Sequence, residues 1–122
     1  MAAVSIAFEA PDNYRGFVPS NKRPIDLVHL ARQTSGDKLL ELEVLQAFAR
    51  QARSSMNELA SGDAGRIRET AHRLKGAALA VGAFCVSEAA EKIESGETGA
   101  AEIALLGAAV VDVENFILKL SR

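Results

Sequence analysis

Residues 37–82, DKLLELEVLQAFARQARSSMNELASGDAGRIRETAHRLKGAALAVG, decide the fold. Between Asp37 and Ala60, Leu42, Leu45, Phe48, Ala49, Ala52, Met56 and Leu59 recur at spacings of three and four. Arg50, Arg53 and Glu58 fall between them, so the segment reads as an amphipathic helix with Asp37 as its cap. Ser61-Gly62-Asp63 supplies a break and a second cap. Ile67, Ala71, Leu74, Ala78 and Val81 then mark one stripe of a following helix, which Gly82 is placed to end.

The same period continues on both sides. Downstream, Val86, Ala89, Ala90 and Ile93 share a face within Ala83 to Glu94, and Ser95-Gly96-Glu97-Thr98-Gly99 is a turn-rich connection. Ile103, Leu106, Val110, Val113, Ile117 and Leu120 then step by three and four, the seam of a helix packed in a bundle. Upstream, Pro24 at a first helical position and Ile25, Leu27, Val28 and Leu30 describe a short helix that stops near Ser35-Gly36. Residues 1–23 hold Pro11, Gly16 and Pro19 without sustained periodicity and read as an irregular tail. No segment alternates with the period of two that a strand requires. The fold expected is all-α: an up-and-down antiparallel four-helix bundle over residues 24–122, with the short helix of residues 24–34 lying across one end.

Composition bounds the function. The 122 residues, 48% of them apolar, suffice for one core and one domain. Sixteen acidic and fourteen basic residues give a formal charge of -2, so no global basic field suggests nucleic acid or an anionic membrane as partner. The single cysteine, Cys85, excludes an intramolecular disulfide and reads as a small apolar residue of the bundle interior. With only two histidines there is no cluster for zinc, and no metal site is expected. The longest apolar run, Ala77 to Val86, falls far short of the roughly 20 residues of a membrane span. The N-terminus lacks the basic and apolar stretches of a signal peptide, which points to a cytoplasmic protein. One core accounts for the apolar residues, so a monomer is expected.

Chemistry concentrates around His72. On a helical wheel it falls roughly 145° from the centre of the buried stripe and therefore faces solvent. Gly76 lies one turn further along the same face, and a glycine inside a helix costs about 1 kcal/mol relative to alanine, which asks for a reason. Helical side chains lean toward the N-terminus, so a side chain at 76 would cover the surface beside His72; glycine leaves room there for a phosphoryl group or a partner loop. Lys75, three residues on, can place its ammonium beside the imidazole as a mobile point charge for phosphate oxygens. Arg66, Arg68 and Arg73, set against Glu69 alone, form a local basic patch suited to an acidic partner.

Ala71-His72-Arg73-Leu74-Lys75-Gly76, followed by Gly82-Ala83, strongly resembles the histidine-containing phosphotransfer (HPt) domain family. That family's signature is a histidine, a lysine three on, a glycine four on and a second glycine ten on. The resemblance extends through Asp26, Leu30, Gly36-Asp37, Leu40, Leu45 and Phe48 and through Ile93-Glu94, covering about residues 25–120. It implies a carrier without catalytic machinery of its own: a phospho-aspartate on a receiver domain donates to His72, which passes the group to another receiver aspartate. The receivers supply magnesium, and no cofactor is expected on this chain. A histidine of ordinary pKa, about 6.5, is largely neutral at cytoplasmic pH and keeps one ring nitrogen free as a nucleophile. Phosphoryl transfer then asks mainly for in-line positioning and charge neutralisation. Many members carry Gln or Glu 22 residues after the histidine, which accepts a hydrogen bond from the other ring nitrogen. That position is Glu94, and such a bond fixes the tautomer and raises the basicity of the attacking nitrogen. The residue after Gly76, often Ser in the family, is Ala77, so one auxiliary phosphate contact is missing.

Two other readings stand beside this one. A binding module could dock on a receiver or kinase through the same face without carrying phosphate. Leu79 and Ala80, with Leu27 and Val28 of the short helix, would be its apolar surface and Arg68 and Arg73 its charged one. A structural bundle would bind no receiver at all. His29 reads as a structural or surface residue. Self-phosphorylation from ATP is not expected, because the chain has no nucleotide-binding motif and His72 is followed by Arg73 with no proline-bearing continuation.

Overall fold

The computed structural model describes residues 23–122, so all but Arg23 of the tail expected over residues 1–23 lies outside the described residues. Among them the chain is all-helical: α1 (Leu27–Thr34), α2 (Lys38–Ser61), α3 (Ala64–Val81), α4 (Phe84–Glu94) and α5 (Ala100–Leu120), without a strand.

Short polar side chains set the starts. Asp26 Oδ1 accepts from the backbone N–H of Val28 at 3.0 Å and of His29 at 3.2 Å, satisfying donors that the first turn leaves unpaired. α1 therefore begins at Leu27 and not at Pro24, because the carboxylate cap decides the start over the preset φ of proline. Asp37 caps α2 through the N–H of Leu40 at 3.0 Å, and Asp63 caps α3 through that of Arg66 at 2.9 Å. α3 ends at Gly82, whose φ of 86° lies in the left-handed region and whose N–H donates to the carbonyl of Ala78. A Cβ at Gly82 would also stand 3.0 Å from the carbonyl oxygen of Asp26, so the position requires glycine on both counts.

α2 packs on α3 and α5, and α4 packs on α3 and α5, so the four form a cycle of neighbours with α1 laid on α2 and α3. Leu45, Phe48, Ala52 and Leu59 of α2 meet Ala71, Leu74, Ala78 and Val81 of α3 in the core. Val86, Ala90 and Ile93 of α4 and Leu106, Val110, Val113 and Ile117 of α5 complete it. Each large aliphatic side chain buried there stabilises the fold by about 1.5–3 kcal/mol before the entropy of ordering it is counted.

Three expectations are corrected. Leu120 is exposed, because the seam of α5 leaves the core after Ile117. Cys85 is exposed as well, since the core face of α4 is phased on Val86, Ala90 and Ile93 and the residue before Val86 is turned about 100° away. One core also does not absorb all the apolar side chains: Leu105, Val111 and Leu118 of α5 stay on the surface. No helix among the described residues is long and apolar enough to cross a membrane.

Candidate functional site

Ala71, Leu74 and Ala78 are fully buried, which turns the opposite side of α3, with His72, Arg73, Gly76, Leu79 and Ala80, to the surface. The His72 side chain is 66% exposed. The reversal at Gly82-Ala83 comes ten residues after His72 and eleven before Glu94, so equal rise along the two helices brings residues 72 and 94 to one level. Glu94, the last residue of α4, thus reaches the imidazole: His72 Nδ1 lies 2.5 Å from Glu94 Oε2, with Nδ1–H donating to the carboxylate. The other ring nitrogen, Nε2, lies on the far side of the ring.

The second carboxylate oxygen is also engaged. Lys75 Nζ stands 2.7 Å from Glu94 Oε1, so one carboxylate joins the two residues of α3 that the sequence singles out. The Lys75 ammonium first, and His72 second, hold the Glu94 carboxyl below the usual carboxylate range, against the desolvation that would raise it. The same hydrogen bond and charge raise the Lys75 ammonium above its ordinary value. Sequence reasoning placed the ammonium beside the imidazole; it lies on Glu94, a partner that only the α3–α4 pairing supplies.

A Cβ built on Gly76 meets nothing within 4 Å. Nothing inside the protein therefore demands glycine there, and the helix cost it carries points to an object outside the chain.

The basic patch is smaller than its sequence suggests. Arg73 Nη2 donates to Glu58 Oε1 at 2.8 Å and to Thr70 Oγ1 at 3.2 Å, and Thr70 Oγ1 donates to the same Glu58 oxygen at 3.0 Å. Thr70 is fully buried, and its hydrogen bond, followed by that of Arg73, holds the Glu58 carboxyl low. Setting Glu69 alone against the arginines missed Glu58, whose position on α2 opposite Thr70 becomes visible only once α2 and α3 are paired. Arg66 and Arg68 remain exposed.

Of the expected docking residues, Leu79 and Val28 are exposed, by 45% and 63%, and Ala80 is exposed beside Leu79. Leu27 turns elsewhere: half-buried, it lines a cleft with Leu39, Leu42, Leu45 and Leu120. His29 packs its ring edge-on to Phe84 with centroids 5.3 Å apart, in a junction between the start of α1 and the turn after α3. Among the described residues no group of three or more His, Cys, Asp or Glu side chains is placed to hold a metal ion.

Among protein families, the model described as Hpt domain matches residues 37–117, a span that includes His72, Lys75, Gly76 and Glu94. No curated protein and no solved structure matches the chain.

Proposed function

The chain belongs to the Hpt domain family, whose members are phosphocarrier modules of two-component phosphorelays and not enzymes, and we propose that His72 is its phosphoryl-accepting residue. In this reading His72 takes the group from a phospho-aspartate on one receiver domain and returns it to an aspartate on another. The observation that carries the proposal is the exposed imidazole whose Nδ1 is bonded to Glu94. With the proton held on Nδ1, the lone pair sits on Nε2, the nitrogen free to approach a donor.

The chemistry needs little else from this protein. The Nε2 lone pair forms the N–P bond while the P–O bond of the acyl phosphate breaks, and its electron pair leaves on the donor aspartate. The proton on Nδ1 stays where it is, and Glu94 stabilises the positive charge that the ring acquires. Gly76 gives the phosphoryl group access, and Lys75 supplies a cation for its oxygens. Magnesium belongs to the receiver, and this chain needs no cofactor in the reading proposed here. Leu79, Ala80 and Val28 give the receiver an apolar footing at the end of α3, and Arg68, exposed one turn before His72, gives it a charged one on the other side of the acceptor.

The same proposal includes the architecture. Residues 24–122 form one unit in which α2 to α5 run up and down, each antiparallel to the next; the short connections and the cycle of neighbours support this. It works as a cytoplasmic monomer.

Incubation with phosphorylated receiver domains tests the proposal. Acid-labile, alkali-stable phosphate should appear on the wild-type chain and not on His72→Gln. Receivers that bind with no transfer at all would instead support a docking module.

A further inference from the structure

This inference rests on the phosphocarrier reading of His72 and concerns what Lys75 does when phosphate arrives. One carboxylate holds both neighbours of the acceptor nitrogen: Glu94 Oε2 takes His72 Nδ1 at 2.5 Å and Oε1 takes Lys75 Nζ at 2.7 Å. The lysine is therefore engaged before any phosphate is present. We infer that Lys75 exchanges partners, lying on Glu94 while His72 is unmodified and on the phosphoryl oxygens once Nε2 carries the group, so that Glu94 is a placeholder for phosphate.

The charges at the site drive the exchange. In the unmodified site the imidazole Nδ1–H and a lysine cation share the one Glu94 anion. Transfer forms the Nε2–P bond with the nitrogen lone pair and sends the electrons of the broken P–O bond to the donor aspartate, while the Nδ1 proton remains. The ring is then cationic and carries a phosphoryl dianion. Its Nδ1–H bond to Glu94 becomes charge-assisted on both sides and strengthens. Lys75 now shares its carboxylate with a second cation, while a group of greater negative charge spread over three oxygens stands on the same helix face. A flexible four-carbon stem with three donors can follow that charge without moving the backbone. The open surface at Gly76, where a Cβ would meet nothing within 4 Å, leaves room for the oxygens and the ammonium.

Lys75 thus has two successive roles. Before transfer it is a positioning residue that acts through Glu94, keeping the carboxylate ionised and aimed at Nδ1. After transfer it neutralises the product.

A double-mutant cycle on the full chain separates the two. Lys75→Met, Glu94→Gln and the double variant are compared in the unmodified form by the 15N signals of the His72 ring. They are compared again after phosphorylation with phosphoramidate by the decay of the phosphohistidine 31P signal. In the unmodified form Lys75→Met should shift the ring signals when Glu94 is present and leave them unchanged in Glu94→Gln. In the phosphorylated form it should shorten the phosphohistidine lifetime several-fold in both backgrounds alike, and Lys75→Arg should restore the lifetime. A lifetime effect that disappears with Glu94 would mean that Lys75 never leaves the carboxylate, and no effect in either background would mean that it never reaches phosphate; each overturns the exchange. Those outcomes leave His72 a phosphoryl acceptor, whereas a wild-type chain labelled by neither phosphoramidate nor receivers removes the carrier reading and the exchange together.

Discussion

The backbone N–H of Asp26 donates to the carbonyl of Gly82 at 2.9 Å, so the residue that caps α1 is bonded to the residue that ends α3. The short helix is tied in this way to the turn that sets α3 against α4, and that turn brings Glu94 level with His72.

Gly82→Ala should therefore destabilise the protein. The left-handed conformation alone costs a residue with a Cβ about 1–2 kcal/mol. The added carbon would meet the Asp26 carbonyl at 3.0 Å and His29 Cδ2 at 3.3 Å, so α1 must also shift. A lower urea midpoint with an unchanged m-value checks this, together with weakening of the His72–Glu94 contact seen in the imidazole NMR signals.

Gly76→Ala should do the opposite to stability. Its backbone is helical and its Cβ meets nothing, so removing a mid-helix glycine should stabilise the chain by about 0.5–1 kcal/mol. The methyl group would cover surface beside His72, and transfer from a receiver should slow. A higher melting temperature with a lower transfer rate in the same variant is the expected pair; unchanged transfer would remove access as the reason for the glycine.

These glycines show what was legible in the sequence. Asp37, Asp63 and Gly82 act on their own backbone neighbourhood, so local chemistry is enough to read them as helix starts and stops. The buried stripes of α2 and α3 were readable from spacing for the same reason. The partners of Lys75 and Arg73 were not, because each meets a carboxylate on another helix and the sequence fixes neither the axial level nor the rotation of a packed pair. Cys85 was misplaced by one residue of phase in an 11-residue helix, where few core positions define the stripe. The family motif named Glu94 by its distance from His72, but only the paired helices show that the same carboxylate also takes Lys75.

Acid should weaken the link between α3 and α4. Lys75 and then His72 hold the Glu94 carboxyl below its ordinary 4.5 in the folded state. In the unfolded chain that carboxyl returns to the ordinary value, so between the two values the unfolded state binds more protons. The stabilisation is complete above the ordinary value and is lost as pH falls through the folded one. Glu94→Gln lacks this titration, so the stability gap between wild type and variant should close as pH falls below about 4.5. Urea unfolding of both proteins from about pH 5 downward measures it, and a gap that widens below about pH 4.5 would refute the assignment. Glu58, held low by Thr70 and then Arg73, contributes acid sensitivity of the same sign in both proteins and cancels in the comparison.

Leu74 and Leu79 lie five residues apart on α3 and should separate stability from docking. Leu74 is fully buried in the core, so Leu74→Ala should cost about 2–5 kcal/mol. Leu79 is 45% exposed, and Leu79→Ala should change stability by no more than about 0.5 kcal/mol. If Leu79 is where a receiver rests, its removal should weaken receiver binding and slow transfer from phospho-aspartate. Uptake from phosphoramidate, which needs no docking surface, should stay at the wild-type rate. Measuring both donors on one variant therefore isolates the protein contact from the reactivity of His72. A Leu79→Ala chain that loses both rates equally would show that the leucine supports the imidazole and not the partner.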